Sequence, residues 1–148
     1  MNIKDQLNEE LKEAMRSGEK LRTQTIRSLK SAIKYAEIDL GKELDSEESL
    51  AVIIKQAKQR RDSIAEFEKA GRDDLVQNEL AELAILEKYL PAQLSEADIE
   101  AKIKVIIAEL GISDIKGMGQ VMGQAMTQLK GQADGKLVSQ ITRKLLSN

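Results

Sequence analysis

"YLPAQLSEAD", residues 89–98, decides how this chain is organised. Pro91 is its only proline. Proline has no N–H to donate, and it pushes the residue before it, Leu90, out of the helical region. The helical pattern that reaches Leu90 therefore stops there. Ser95, followed by Asp98, restarts a helix as an N-cap. The stretch reads as a linker, and it places a domain boundary: an N-terminal helical domain over residues 1–90 and a C-terminal domain over residues 91–148.

Working back from Pro91, apolar residues recur at steps of three and four. Leu75/Val76, Leu80, Leu83, Leu86 and Leu90 form one such stripe. Asp73 or Asp74 is placed to cap that helix, and Gly71 to end the one before it. The preceding helix is expected from about Ser46 to about Ala70, with Leu50, Ile53/Ile54, Ala57, Ile64 and Phe67 on its apolar side. Its start has capping-box spacing, Asp45 with Glu48. Ile26, Leu29, Ile33, Ala36 and Leu40 form a further stripe, and Ile3, Leu7, Leu11 and Ala14/Met15 the first.

Working forward from Ser95, three helices are expected: Ser95–Leu110, roughly Lys116–Lys130, and Gly135–Leu146. Gly131 fits the left-handed exit of the second, and Asp134 is placed to cap the third. No strand-like alternation of four or more residues occurs. The expected fold is all-α, with two helical lobes: about four helices N-terminal and a compact three-helix C-terminal domain.

Composition agrees with that class. The 148 residues are 41% hydrophobic and 32% charged, with two tyrosines, one phenylalanine and no tryptophan. Ala, Leu, Ile, Val and Met must build the core, which is the palette of a helical bundle. With no cysteine, disulfides and thiolate metal sites are excluded. No apolar run approaches the ~20 residues of a membrane span. The amphipathic N-terminus lacks a signal-peptide core. These features lead to the expectation of a cytoplasmic protein of bacterial type, without a membrane partner.

The chain has neither histidine nor cysteine, so the commonest general base and the strongest nucleophile are missing. Ser28 and Ser31 lie near Lys30 and Lys34, but on a helical face expected to be solvated. Acid pairs such as Asp73-Asp74 and Glu47-Glu48 sit at helix starts, where they complement the dipole. No catalytic residue, no metal site and no cofactor is expected, and the chain is read as a non-enzyme.

The net charge of −2 hides a segregated distribution. Lys20, Arg22, Arg27, Lys30 and Lys34 follow one another with no acid between them. Lys55, Lys58, Arg60 and Arg61 do the same. Arg60 and Arg61 stand where the apolar stripe should continue. Either they pair with Asp62, Glu66 or a neighbouring helix's acids, or they form a phosphate or carboxylate clamp. Lys58, Arg60 and Arg61 are thus a candidate second basic surface.

The C-terminal lobe is the main candidate. "KGMGQVMGQAM" (residues 116–126) is neither a P-loop nor a dinucleotide fingerprint. Gly119 and Gly123 can admit a neighbouring helix. Alternatively, Lys116, Gly117 and Gly119 open a helix N-terminus suited to phosphate. Lys136, Arg143 and Lys144 are not expected to share one helical face. With Lys116 and Lys130 they would ring one end of the lobe and attract a phosphate backbone.

"KQRRDSIAEFEKAGRDDL", "EKYLPAQLSEADI", "KGMGQVMGQAM" and "KGQADGKLVSQI" together resemble, in order and spacing, the YqeY family of the GatB/YqeY-domain group. The resemblance spans essentially the whole chain. Its C-terminal part is also similar to the tail of the B subunit of the bacterial aspartyl/glutamyl-tRNA amidotransferase, a helical appendage that helps to hold tRNA. The resemblance implies two helical lobes and a tRNA partner, held through backbone contacts at Lys116, Lys130, Lys136, Arg143 and Lys144. A tRNA amidotransferase or an aminoacyl-tRNA synthetase is the implied enzyme partner. The amidotransferase's own catalytic cores are not found in the sequence. A carbon–nitrogen ligase activity with glutamine as amido donor would belong to a complex. The alternative is a protein-interaction module that docks on a tRNA-dependent enzyme.

Overall fold

The computed structural model describes residues 2–147, and its regular structure is helical, with no strand among the described residues. The fold is all-α, and the chain divides into two compact units, Met1–Leu90 and Pro91–Asn148.

The first unit holds α1 (Ile3–Arg16), α2 (Lys20–Leu40), α3 (Ser46–Lys69) and α4 (Asp73–Glu87). Asn2 caps α1 by accepting from the Asp5 N–H at 2.9 Å. The capping box at α3 is complete. Asp45 accepts from the Glu48 N–H at 2.8 Å, and the Glu48 side chain accepts from the Asp45 N–H at 3.2 Å. Asp73 and Asp74 do not cap α4: Arg72 is the N-cap residue, with no side-chain cap bond. Both acids instead lie in the first turn, where they complement the dipole.

Leu7, Ala14, Ile26, Leu29, Ile33, Leu44, Ile53 and Leu86 form one buried cluster, and Ala57, Ile64, Val76 and Leu83 a second between α3 and α4. Each fully buried Leu or Ile contributes about 1.5–3 kcal/mol relative to exposure. Two stripe members fall outside: Leu40 is 61% exposed at the last position of α2, and Leu80 is 42% exposed. Both sit at helical spacing, yet no neighbouring element covers them.

The second unit holds α5 (Glu96–Leu110), one turn of 3-10 helix (Ile115–Gly117), α6 (Met118–Gln128) and α7 (Gly135–Leu146). Ser95 caps α5 by accepting from the Asp98 N–H at 3.1 Å. The core comprises Ile99, Ile103 and Ile106 from α5, Val121 and Ala125 from α6, Leu129, and Val138 and Leu146 from α7. No helix among the described residues is long and apolar enough to cross a membrane.

Candidate nucleic-acid interface

The loop between α6 and α7 is tightly held. Gly131 takes the left-handed conformation, φ +77°. The Leu94 N–H donates to the Gln132 carbonyl at 2.9 Å, and the Gln93 amide to the Gly131 carbonyl at 2.6 Å. The segment after Pro91 thus fixes where α7 begins. Asp134 occupies the N-cap position, but its side chain makes no cap bond.

α7 buries Val138, Thr142 and Leu146 and exposes Lys136, Gln140, Arg143 and Lys144. At 3.6 residues per turn, Arg143 lies about 20° and Lys144 about 80° around the helix from Lys136. The three cations therefore share one outward face, contrary to the expectation from sequence: the seven-residue step from 136 to 143 is nearly two whole turns. Arg143 and Lys144 lie in the last turn, where cations complement the dipole. Lys136 lies in the first turn, where a cation opposes it. There are no acids in that first turn. At Lys144, Glu96 and Glu100 line the same hollow. Glu100 is itself paired with Lys104 at 3.4 Å.

Lys116 and Lys130 do not complete a ring at one end. Lys116 precedes α6 and Lys130 follows it. The 11 residues of α6 separate them by at least about 16 Å. Both are exposed. Three N–H groups that lead into α6 are also engaged. Lys116 donates to the Asp114 carboxylate at 3.0 Å and Gly117 to the Asp114 carbonyl at 3.1 Å. The Met118 N–H is taken by the Ile115 carbonyl. Asp114 stands where a phosphate was expected. Gly117 has a packing role: a Cβ there would lie 2.3 Å from Ile112 Cγ2. Gly119 and Gly123 admit no close neighbour, since a Cβ on either meets nothing within 4 Å.

Lys58, Arg60 and Arg61 form no open basic surface. Arg60 Nη1 lies 3.1 Å from Glu79 Oε2 and also contacts Glu82. Arg61 pairs with Glu87 at 3.6 Å, and Lys58 with Asp62 at 3.3 Å. Three acids of α4 thus meet the two arginines of α3.

A different cationic face, on α2, was not singled out as a site from the sequence. Arg27, Ser28, Ser31, Lys34 and Tyr35 are exposed along it. Its signal was the acid-free run from Lys20 to Lys34. Among the described residues there is no group of three or more acidic, His or Cys side chains suited to a metal ion.

The model of the Yqey-like protein family matches residues 4–146. The chain belongs to the YqeY family. Curated relatives within reach of this YqeY chain carry the name "Altered inheritance of mitochondria protein 41, mitochondrial". The one from Lachancea thermotolerans is 45% identical over 108 residues, 70% of this chain and 57% of the relative. That from Kluyveromyces lactis is 41% identical over 111 residues, 73% of this chain and 60% of the relative. That from Pyrenophora tritici-repentis is 36% identical over 139 residues, 90% of this chain and 75% of the relative. The chain therefore spans less than two thirds of the first two relatives. These relatives are fungal and named as mitochondrial, which overturns the bacterial and cytoplasmic expectations. The physical reason is plain: lack of cysteine constrains redox chemistry and does not specify an address. The relatives' names describe no catalytic activity.

Proposed function

We propose that this YqeY chain is an accessory RNA-binding protein, non-catalytic by itself, that holds the tRNA backbone through the outward face of α7. The supporting observation is the shared face of Lys136, Arg143 and Lys144, with a cation in the first turn that the helix dipole disfavours. Lys130, next to the loop that leads into α7, extends the positive field. The contacts would be to phosphates: the second unit carries no aromatic side chain on which an unpaired base can stack. The relatives' printed names carry a mitochondrial setting, and carried to this chain it makes organellar tRNA the first pool to test. A tRNA-dependent enzyme is the partner this reading implies.

The test is fluorescence anisotropy of labelled tRNA against the full chain at about 50 and 200 mM salt. Three phosphate contacts predict a log–log salt slope on the order of −2 to −3. The variant Lys136→Ala, Arg143→Ala, Lys144→Ala should lose most of the affinity. Equal binding by that variant, or none by the native chain at low salt, overturns the reading.

A further inference from the structure

The first unit carries a second feature of a different chemical kind. Its basic residues fall into two sets. Lys4, Arg22, Lys42, Lys58, Arg60, Arg61, Lys69 and Arg72 each stand within ion-pair distance of an acid. Lys12, Arg16, Lys20, Arg27, Lys30, Lys34, Lys55 and Lys88 have no acid within that distance among the described residues. Four of these eight, Arg27, Lys30, Lys34 and Lys55, border a hollow between helices. These four gather around two adjoining hollows. One, of about 750 Å³, runs between α2 and α3, with Arg27, Ser28, Ser31, Tyr35, Lys55 and Gln59 along it. The other, of about 500 Å³, runs between α1 and α2 and is bordered by Arg27, Lys30 and Lys34. Arg27 borders both.

Tyr35 sets the character of the larger hollow. The chain has two tyrosines and one phenylalanine. Phe67 and Tyr89 pack against the buried clusters. Tyr35 is 75% exposed. A ring left in water beside cations outside ion-pair distance of any acid is the combination that binds single-stranded nucleic acid: cations follow the backbone, and an aromatic face stacks a base. Asp39 is the acid that lines the same hollow. The serine hydroxyls and the Gln56 and Gln59 amides that border the same hollow can bond base edges or phosphate oxygens. From Arg27 to Tyr35 the α2 surface runs about 12 Å, room for more than one nucleotide.

We infer that the α2–α3 hollow is a binding site for an unpaired RNA segment, with Tyr35 as the stacking platform and Arg27 and Lys55 as phosphate contacts. The site rests on the RNA-binding reading of the chain and extends it: α7 meets the folded backbone, and α2 an unpaired stretch. An acidic polypeptide is the rival occupant, since it would satisfy the cations but gain little from the ring.

The experiment uses the full chain and three labelled probes: a 15-nucleotide single-stranded oligoadenylate, folded tRNA, and a 15-residue polyglutamate. The variants are Tyr35→Ala, Tyr35→Phe, Arg27→Ala with Lys55→Ala, and the triple α7 variant, each checked for native helicity by circular dichroism. Tyr35→Ala should weaken oligoadenylate binding about five- to thirty-fold, the range set by loss of one stacked base. Tyr35→Phe should retain the affinity, because the ring stacks without its hydroxyl. The α7 variant should leave oligoadenylate binding intact. Oligoadenylate binding that ignores Tyr35→Ala overturns the inference. So does tRNA binding without oligoadenylate binding, which leaves the α7 reading standing. So does polyglutamate binding as tight as that of oligoadenylate. Oligoadenylate binding alone, lost with Tyr35→Ala, supports this site and removes the α7 reading.

Discussion

Arg60 on α3 donates to both carboxylate oxygens of Glu79 on α4, at 3.1 and 3.3 Å, and its guanidinium also meets Glu82. This group fills the gap in the apolar stripe between Ala57 and Ile64. Arg60 takes the stripe position with most of its side chain covered, and two acids from the facing helix neutralise the head. Its side chain is 23% exposed and the two acids 16% and 14%, so water screens the pair only in part.

Removing the cation should therefore cost more than losing a surface pair. Arg60→Ala leaves two largely buried carboxylates without their cation, and should destabilise the chain by about 1–3 kcal/mol. Arg72→Ala, which breaks the open pair with Asp74 at 3.0 Å, should do far less. Urea midpoints measure both. Equal effects would mean that Arg60 is a solvated surface residue and return it to the list of ligand contacts.

The glycines of the 116–126 stretch should separate in sign. Gly117→Ala drives a methyl to 2.3 Å from Ile112 Cγ2 and 2.6 Å from its Cδ1. Repacking should cost about 1–3 kcal/mol. Gly123→Ala, inside α6 with open space around it, should gain about 0.5–1 kcal/mol from helix propensity alone. Thermal melts followed by circular dichroism decide it. A destabilising Gly123→Ala would show that a partner helix uses that face.

Helix existence was legible in the sequence, because caps and spacing agree locally. α7 runs Gly135–Leu146, the range expected from Gly131, Asp134 and the Leu137/Val138, Ile141, Leu145 pattern. What sits beside a helix was less legible. Glu79 is 19 residues from Arg60 in sequence, so spacing could not choose between ion pair and ligand clamp. Tyr35 lies next to Ala36, a stripe member, and no sequence rule says that the ring faces water. Asp114, two residues upstream of Lys116, takes the Lys116 and Gly117 N–H groups, and a motif that starts at Lys116 leaves that acceptor out.

Two buried hydroxyls should be dispensable. Thr25 Oγ1 and Ser49 Oγ have no hydrogen-bond partner among the described residues. Thr142 differs: its hydroxyl donates to the Val138 carbonyl at 2.7 Å. Thr25→Val and Ser49→Ala remove an unmet polar atom, and should leave stability unchanged or raise it by up to about 1 kcal/mol. Thr142→Val removes a made bond and should lower it by about 1 kcal/mol. Chemical denaturation of the three variants tests the contrast. A loss at Thr25 or Ser49 as large as at Thr142 would reveal a partner for those hydroxyls.

Acid should act on the first unit through Glu37. The Lys4 ammonium and the Leu44 N–H, at 2.9 Å, hold its carboxyl below the usual range, with Lys34 adding in the same direction. Glu48, beside Lys42, and Asp74, beside Arg72, are lowered likewise. A folded-state pKa below the unfolded value means that the unfolded chain binds more protons in that window, so stability rises with pH across it. The contribution is complete above the unfolded value, roughly pH 4.3 for a glutamate. It is lost as pH falls through the lowered one. Glu37→Gln keeps an acceptor for the Leu44 N–H and discards the charge. The variant should melt below the native chain at pH 7, and the gap should narrow toward pH 3, where the native carboxyl becomes protonated. A gap of constant size from pH 7 to pH 3 would show that geometry, not charge, ties Glu37 to Lys4 and to the turn that leads into α3.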